Sequence, residues 1–165
     1  MTKSNKKGVK ISAVKNEIKK IIPEKPVLSA IHEPLRLSYL WKKGEEVPSF
    51  LDKKRVCIFS AICDGSYFRH TIEGLGAFVE SEFIFPDHYN YKKRDLEKII
   101  NECRHKNIEL FVTTEKDAVK LKNLSQKEAG FKALVLEIRL RITEGDETLD
   151  DALRRLHMRD SRKND

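Results

Sequence analysis

Two short stretches of the chain carry the side chains best suited to chemistry. In Phe83-Ile84-Phe85-Pro86-Asp87-His88-Tyr89 an apolar run stops at a proline, and an aspartate and a histidine follow at once. A neutral imidazole beside a carboxylate can accept a proton near pH 7. In Thr113-Thr114-Glu115-Lys116-Asp117-Ala118-Val119-Lys120-Leu121 a strand pattern passes directly into a helical one. Thr114, Lys116 and Lys120 could hold a phosphate through a hydroxyl, two charges and the amides of a helix start. Both stretches also have a purely structural reading. Asp87 can cap a helix and His88 can stand in a surface loop. Thr114 can be an N-cap, with Glu115 and Asp117 favourable to the helix dipole and Lys116 solvated.

Regular elements must position these residues. Val56-Cys57-Ile58-Phe59-Ser60-Ala61 is a continuous apolar run, as expected of a strand covered on both faces. Asp64-Gly65-Ser66 supplies turn and cap residues, and Tyr67 to Leu75 reads as a helix stopped by Gly76. Phe78 to Phe85 is a second strand, ended by Pro86, which has no N–H for a sheet ladder. Lys92 to Lys106 is a helix with Leu96, Ile99, Ile100 and Cys103 on one face. Ile108 to Thr113 is a third strand, Ala118 to Leu121 belongs to a helix, and Ala133 to Ile142 is a fourth strand. The order βαβαβαβ predicts an α/β layered domain with a mostly parallel sheet. Right-handed crossovers then bring the loops after Ala61, Phe85 and Thr113 to one edge, where open α/β sheets bind ligands. That edge gathers Asp64, Asp87, His88, Thr114, Glu115, Lys116 and Asp117.

A leading helix and a linker strand precede this core. From Val9 to Ile22, Ile11, Val14, Ile18, Ile21 and Ile22 recur at helical spacing, with lysines on the other faces. The helix can pack on a core or lie on a lipid surface. Pro26 to His32 reads as a short strand, Leu35 to Trp41 is ambiguous, and Lys42 to Lys54 reads as a surface loop. Leu149 to Leu156 reads as a closing helix and Arg159 to Asp165 as a polar tail.

Composition narrows the function class. The net charge of +7 favours anionic partners, whether phosphates, nucleic acid or anionic lipid, although solvated lysines account for most of it. No apolar run approaches the ~20 residues of a membrane span, and the start of the chain lacks a signal-peptide layout. Cys57, Cys63 and Cys103 have no metal-ligand spacing, and Cys57 and Cys103 read as buried thiols of a reducing compartment. The residues contain no Gly-x-x-x-x-Gly-Lys-Ser/Thr loop, no Walker B aspartate pair, no Gly-x-Ser-x-Gly elbow and no dinucleotide fingerprint.

Four segments, in this order, resemble the carboxyl-terminal half of the tetraacyldisaccharide 4'-kinase family, the lipid A 4'-kinases. Thr2-Lys3-Ser4-Asn5 is similar to the family's Leu-Thr-Lys/Arg-x-Asp, and Pro26 to Pro34 to its linker strand. Arg55 to Phe68 with Phe85-Pro86-Asp87-His88-Tyr89, and Thr113 to Leu121, are the more specific matches. The likeness runs over about residues 1 to 140. One departure is clear: the family's Gly-Ile-Gly-Asn-Pro is replaced by Ala61-Ile62-Cys63-Asp64-Gly65, without two glycines that would permit close backbone approach.

The resemblance implies a two-domain enzyme that transfers the ATP γ-phosphate, with Mg²⁺, to the 4'-hydroxyl of a tetraacyl disaccharide 1-phosphate, a lipid A precursor. It implies a cytoplasmic protein, peripheral to the inner membrane, with no nucleic-acid partner. Residues 1–24 would end the amino-terminal kinase domain, 25–54 form the linker strand and loop, 55–145 the carboxyl-terminal α/β domain, and 146–165 the closing helix and tail. His88, with Asp87 beside it, would assist an aspartate of the other domain in activating the hydroxyl. Thr114, Glu115, Lys116 and Asp117 would contact substrate or phosphate, or serve structurally near a hinge. Neither ATP nor Mg²⁺ is expected to bind this chain alone, so activity would require a P-loop half, which could be a separate chain. The alternative is a stand-alone basic module for anionic lipid or nucleic acid, with the Val9–Ile22 helix as its contact. A remnant unable to fold alone is a third possibility.

Overall fold

In the computed structural model, residues 11–124, 131–145, 147, 149–151, 153 and 154 are described. The Thr2–Asn5 segment, Val9, Lys10, Leu156 and the Arg159–Asp165 tail of the sequence reading lie outside them. In chain order the elements are α1 (Ile11–Ile21), β1 (Ser29–Tyr39), β2 (Glu45–Glu46), a 3₁₀ turn (Pro48–Leu51), β3 (Arg55–Ser60), α2 (Gly65–Gly74) and β4 (Phe78–Ile84). There follow α3 (Lys93–His105), β5 (Leu110–Thr114), α4 (Glu115–Leu121) and β6 (Lys132–Glu144). The helical residues among 147–154 match the expected closing helix. The chain divides into two compact units, residues 34–139 and residues 1–33 with 140–165.

Residues 34–139 hold the α/β core. Val56, Cys57, Ile58 and Phe59 are essentially inaccessible, so the apolar run of β3 is indeed sandwiched. Side chains alternate along each strand and sort into two cores. Val56, Ile58, Leu110, Val112, Leu134 and Leu136 meet Phe68 and Ile72 of α2 on one face. Cys57, Phe59, Phe111, Ala133 and Val135 meet Leu96, Ile99, Ile100 and Cys103 of α3, with Ala118 and Leu121 of α4, on the other.

The topology explains this segregation. The sheet order is β2-β1-β6-β5-β3-β4. β3 pairs in parallel with β4 and with β5, and β5 in parallel with β6. The chain therefore steps outward from β3 to β4, then returns past β3 to β5 and on to β6. Right-handed crossovers in opposite directions place helices on opposite faces. The reversal falls between β3 and β5, so their outgoing loops part there.

Two readings need correction. The strand expected at Pro26–His32 begins at Ser29 and continues through the ambiguous stretch to Tyr39, with Leu37 fully buried. β2 reaches only Leu37 and Ser38 of this strand, so Pro34 withholds no ladder bond on that side. The Lys42–Lys54 stretch is more than a surface loop: its 3₁₀ turn drives Leu51 into the α2-side core at 0% exposure. One buried leucine in a charged, proline-containing stretch has no period, so pattern reading passes over it. Gly76 closes α2 at φ +86°, and a Cβ there would run into the Asp52 side chain.

In the other unit, α1 has no buried residue. Lys15 pairs with Glu144, and Arg141 with Glu33 at 3.3 Å. Among the described residues no helix is long and apolar enough to cross a membrane.

Leu51→Ala should lower unfolding free energy by about 2–5 kcal/mol, as for a buried leucine. Urea denaturation would show it. A change under about 0.5 kcal/mol would return this stretch to the status of a surface loop.

Candidate active site

The last backbone bond of β4 to the sheet runs from Phe85 N to Ser60 O, 2.9 Å. Pro86 then opens a tight turn closed by Tyr89 N donating to Pro86 O at 3.1 Å. Asp87 and His88 are its two central residues. His88 sits at φ +61°, in the left-handed region, which a residue with a Cβ adopts at a cost of about 1–2 kcal/mol. The Asp87 carboxylate accepts from His88 N at 3.0 Å through Oδ1. Oδ2 lies 3.7 Å from His88 Nε2, an electrostatic contact rather than a hydrogen bond. The imidazole is 79% exposed and free to meet a partner.

Aromatic rings carry the turn. Phe85 stacks on Tyr89 at 4.9 Å and meets Tyr91 edge-on at 5.1 Å, and Tyr91 in turn meets Phe59 of β3 at 5.8 Å. Tyr89 OH also donates to Asp95 Oδ2 at 3.0 Å, tying the turn to the start of α3.

The second motif meets the first. Thr114 is the N-cap of α4, its Oγ1 accepting from Asp117 N at 3.2 Å and donating to Asp117 Oδ2 at 2.7 Å. Lys116 Nζ donates to Asp87 Oδ1 at 3.0 Å, and Lys120 Nζ to Tyr89 O at 2.8 Å. The Lys116 ammonium is the main cause holding the Asp87 carboxyl below its usual range, followed among the favourable causes by the His88 amide. Glu115 is exposed and accepts from Ile138 N at 3.3 Å.

Asp117 is placed differently from its neighbours. It is 0% exposed, and its Oδ2 also accepts from Ala61 N at 3.1 Å, across from the end of β3. Its Oδ1 and the hydroxyl of Tyr91 are both enclosed without a hydrogen-bond partner among the described residues. Burial, and after it the Asp117 charge, push the Tyr91 phenol well above its ordinary range. The segment expected as a block of contacts thus splits: Thr114 and Asp117 are engaged in internal bonds, while Glu115 and Lys116 stand at the surface.

A cavity of about 260 Å³ opens beside them. Ile62, Tyr67, Phe68 and Thr71 form one side, Leu136 and Ile138 the other, with Thr114, Glu115 and Lys116 at its edge. Its lining comes from α2, β5, α4, β6 and the loop before α2, so no sequence motif marks it. Asp64 caps α2 by accepting from Tyr67 N at 3.1 Å. Ser66 donates to the same oxygen at 2.7 Å. Cys57 and Cys103 are buried as expected and Cys63 is exposed. No group of three His, Cys, Asp or Glu side chains among the described residues could hold a metal ion.

Comparison with known proteins bears on the family and the fold. The family model for Tetraacyldisaccharide-1-P 4'-kinase matches residues 4–157. The chain is similar to the Tetraacyldisaccharide 4'-kinase of Syntrophus aciditrophicus, 31% identical over 122 residues that make up 74% of this chain and 32% of that protein. It is likewise 31% identical to that of Desulfatibacillum aliphaticivorans, over 76% of this chain and 36% of the relative. The chain thus spans about a third of the length of these curated relatives. A crystal structure from Aquifex aeolicus, described as the "apo" form of LpxK in complex with ATP, shares the fold. Its TM-score is 0.51 and its identity 22%, over 83% of this chain and 40% of that one.

The contact between Asp87 and Lys116 has a definite pH signature. A carboxyl whose folded pKa is depressed contributes stability above its unfolded value and loses it as pH falls through the folded one. The Asp87 carboxyl resonance should therefore titrate below the ordinary aspartate range in NMR, and in Lys116→Met it should move up toward that range. An Asp87 titration indifferent to Lys116 would contradict the contact.

Proposed function

Because the chain belongs to the tetraacyldisaccharide-1-P 4'-kinase family, we propose that it forms the wall of a lipid-kinase cleft that presents His88 and Asp87 to the acceptor hydroxyl. The reaction is transfer of the ATP γ-phosphoryl group to the 4'-hydroxyl of a tetraacyl disaccharide 1-phosphate. The observation that carries this reading is an exposed imidazole held on a turn of unfavourable backbone geometry. Strain of that kind persists where surrounding structure over-determines it, and it gathers at active sites.

His88 needs neither ATP nor metal bound to this chain to play its part. It would take or orient the proton of the attacking hydroxyl, with Asp87 steadying the turn and the local charge. In phosphoryl transfer most of the protein's contribution is positioning and charge stabilisation. ATP and Mg²⁺ do not fit the residues present. There is no glycine-rich cradle in the sequence, the start of α2 is filled by Asp64, and the described residues hold no cluster of metal ligands. Nucleotide and metal would be held by a P-loop half outside these 165 residues, joined or separate. Substrate contact in the second motif rests with Glu115, which edges the cavity, because the Lys116 ammonium is already engaged by Asp87. The apolar walls beside it suit the acyl part of such a substrate. The protein would work peripherally at the cytoplasmic face of the inner membrane.

Calorimetry with ATP on this chain alone should give no binding heat. Supplied with a P-loop half, the chain should phosphorylate tetraacyl disaccharide 1-phosphate, and His88→Ala should lower kcat about 10²-fold or more without moving Tm. An unaltered rate would remove His88 from the chemistry.

A second reading rests on α1, where no residue is buried and Ile21 is 80% exposed beside Lys19 and Lys20. It makes the helix a contact for anionic lipid. Vesicles containing phosphatidylglycerol should then bind the chain at low salt and release it as salt rises. Failure to bind at low salt would dismiss it.

A further inference from the structure

We propose that Lys116 and Lys120 act as a two-point clamp that fixes the His88 turn, and are positioning residues for the reaction assigned above. They lie four residues apart on α4, hence on one face. Their ammonium groups reach the residues on either side of His88: Lys116 the Asp87 carboxylate at 3.0 Å, Lys120 the Tyr89 carbonyl at 2.8 Å. One contact is an ion pair with a side chain and the other fixes a backbone carbonyl. Together they hold both shoulders of the turn.

The turn requires such support. His88 has a Cβ and sits at φ +61°, a conformation that glycine would adopt freely and that histidine abandons unless held. The Phe85, Tyr89 and Tyr91 rings steady one side. Nothing in that packing restrains Asp87, which is 40% exposed in its side chain. Lys116 supplies the missing restraint.

A clamp also needs a fixed base. α4 is short, and its first turn is fastened to the sheet: Thr114 caps it, and the enclosed Asp117 carboxylate takes the Ala61 amide at the end of β3. The whole second motif then has one purpose. Thr114 and Asp117 anchor the helix, and Lys116 and Lys120 transmit that anchorage to the turn.

The inference rests on the kinase reading, but its first test does not. In the isolated chain, labelled for NMR, His88 should show the coupling constant of positive φ, and the Asp87 and His88 amides should be ordered. In a Lys116→Met, Lys120→Met double variant their order parameters should drop below about 0.6 while Tm stays close to the parent value. Lys116→Gln, Lys120→Gln serves if the methionine variant misfolds. A His88 that stays left-handed and ordered in a folded double variant overturns the clamp.

The second test uses the chain with its P-loop half. Each single Met variant should lower kcat about tenfold and the pair about 10²-fold, with KM for the lipid within about twofold. Lys116→Arg should recover most of the loss, since it keeps the Asp87 contact. A raised KM with unchanged kcat would mean that the lysines meet substrate instead, and would overturn the proposal. An inactive parent mixture would count against the kinase reading and leave the NMR result standing.

Discussion

The buried carboxylate of Asp117 is the constraint on which the site depends. At the sheet's reversal point, β3 and β5 send their chains to opposite faces, and nothing in the ladder joins their outgoing loops. Asp117 Oδ2 bridges that gap by taking the Ala61 amide and the Thr114 hydroxyl together. Charge-assisted bonds inside a core are stronger than neutral ones, and a buried amide left without a partner costs about 1–3 kcal/mol. The same carboxylate thus secures the end of β3, the cap of α4 and, through α4, the lysines that face the Asp87–His88 turn. In many α/β proteins the opening at the reversal point receives a ligand. Here the Asp117 carboxylate ties the two loops together beside the cavity that Ile62 and Thr114 line, and the exposed imidazole lies on the turn after β4.

That turn is assembled from three directions. Pro86 ends the strand, the aromatic trio presses the chain onto the α3-side core, and α4 reaches across with two ammonium groups. The imidazole of His88 stands clear of all three. On the proposed reading of His88, the group that would react is separate from the groups that hold it, so the support would not have to move when chemistry occurs.

Much of this was legible before any coordinates. The β3 run, the one-faced pattern of α3 and the Pro86 stop each reflect a single local requirement, and each element is found within a residue or two of its expected limits. The meeting of the two motifs followed from crossover handedness alone. What escaped the sequence was non-local. β1 runs on through Pro34 because β2 pairs only with Leu37 and Ser38, a tolerance that the local sequence does not display. Leu51 was passed over because its burial depends on a turn with no periodic signature. Asp117 and Lys116 are adjacent and equally polar, yet one is enclosed and the other exposed. Only the phase of α4 against the sheet separates them, and a helix of seven residues is too short for its sequence to declare that phase.

The Ala61-Ile62-Cys63-Asp64-Gly65 turn has an electrostatic outcome. The Tyr67 amide in the first turn of α2 already donates to a carboxylate from within the chain, and the Ser66 hydroxyl donates to the same oxygen. A phosphate approaching the first loop would find a negative group where helix starts ordinarily offer positive potential. The donor that an incoming anion would use at this helix start is thus already spoken for by the chain itself.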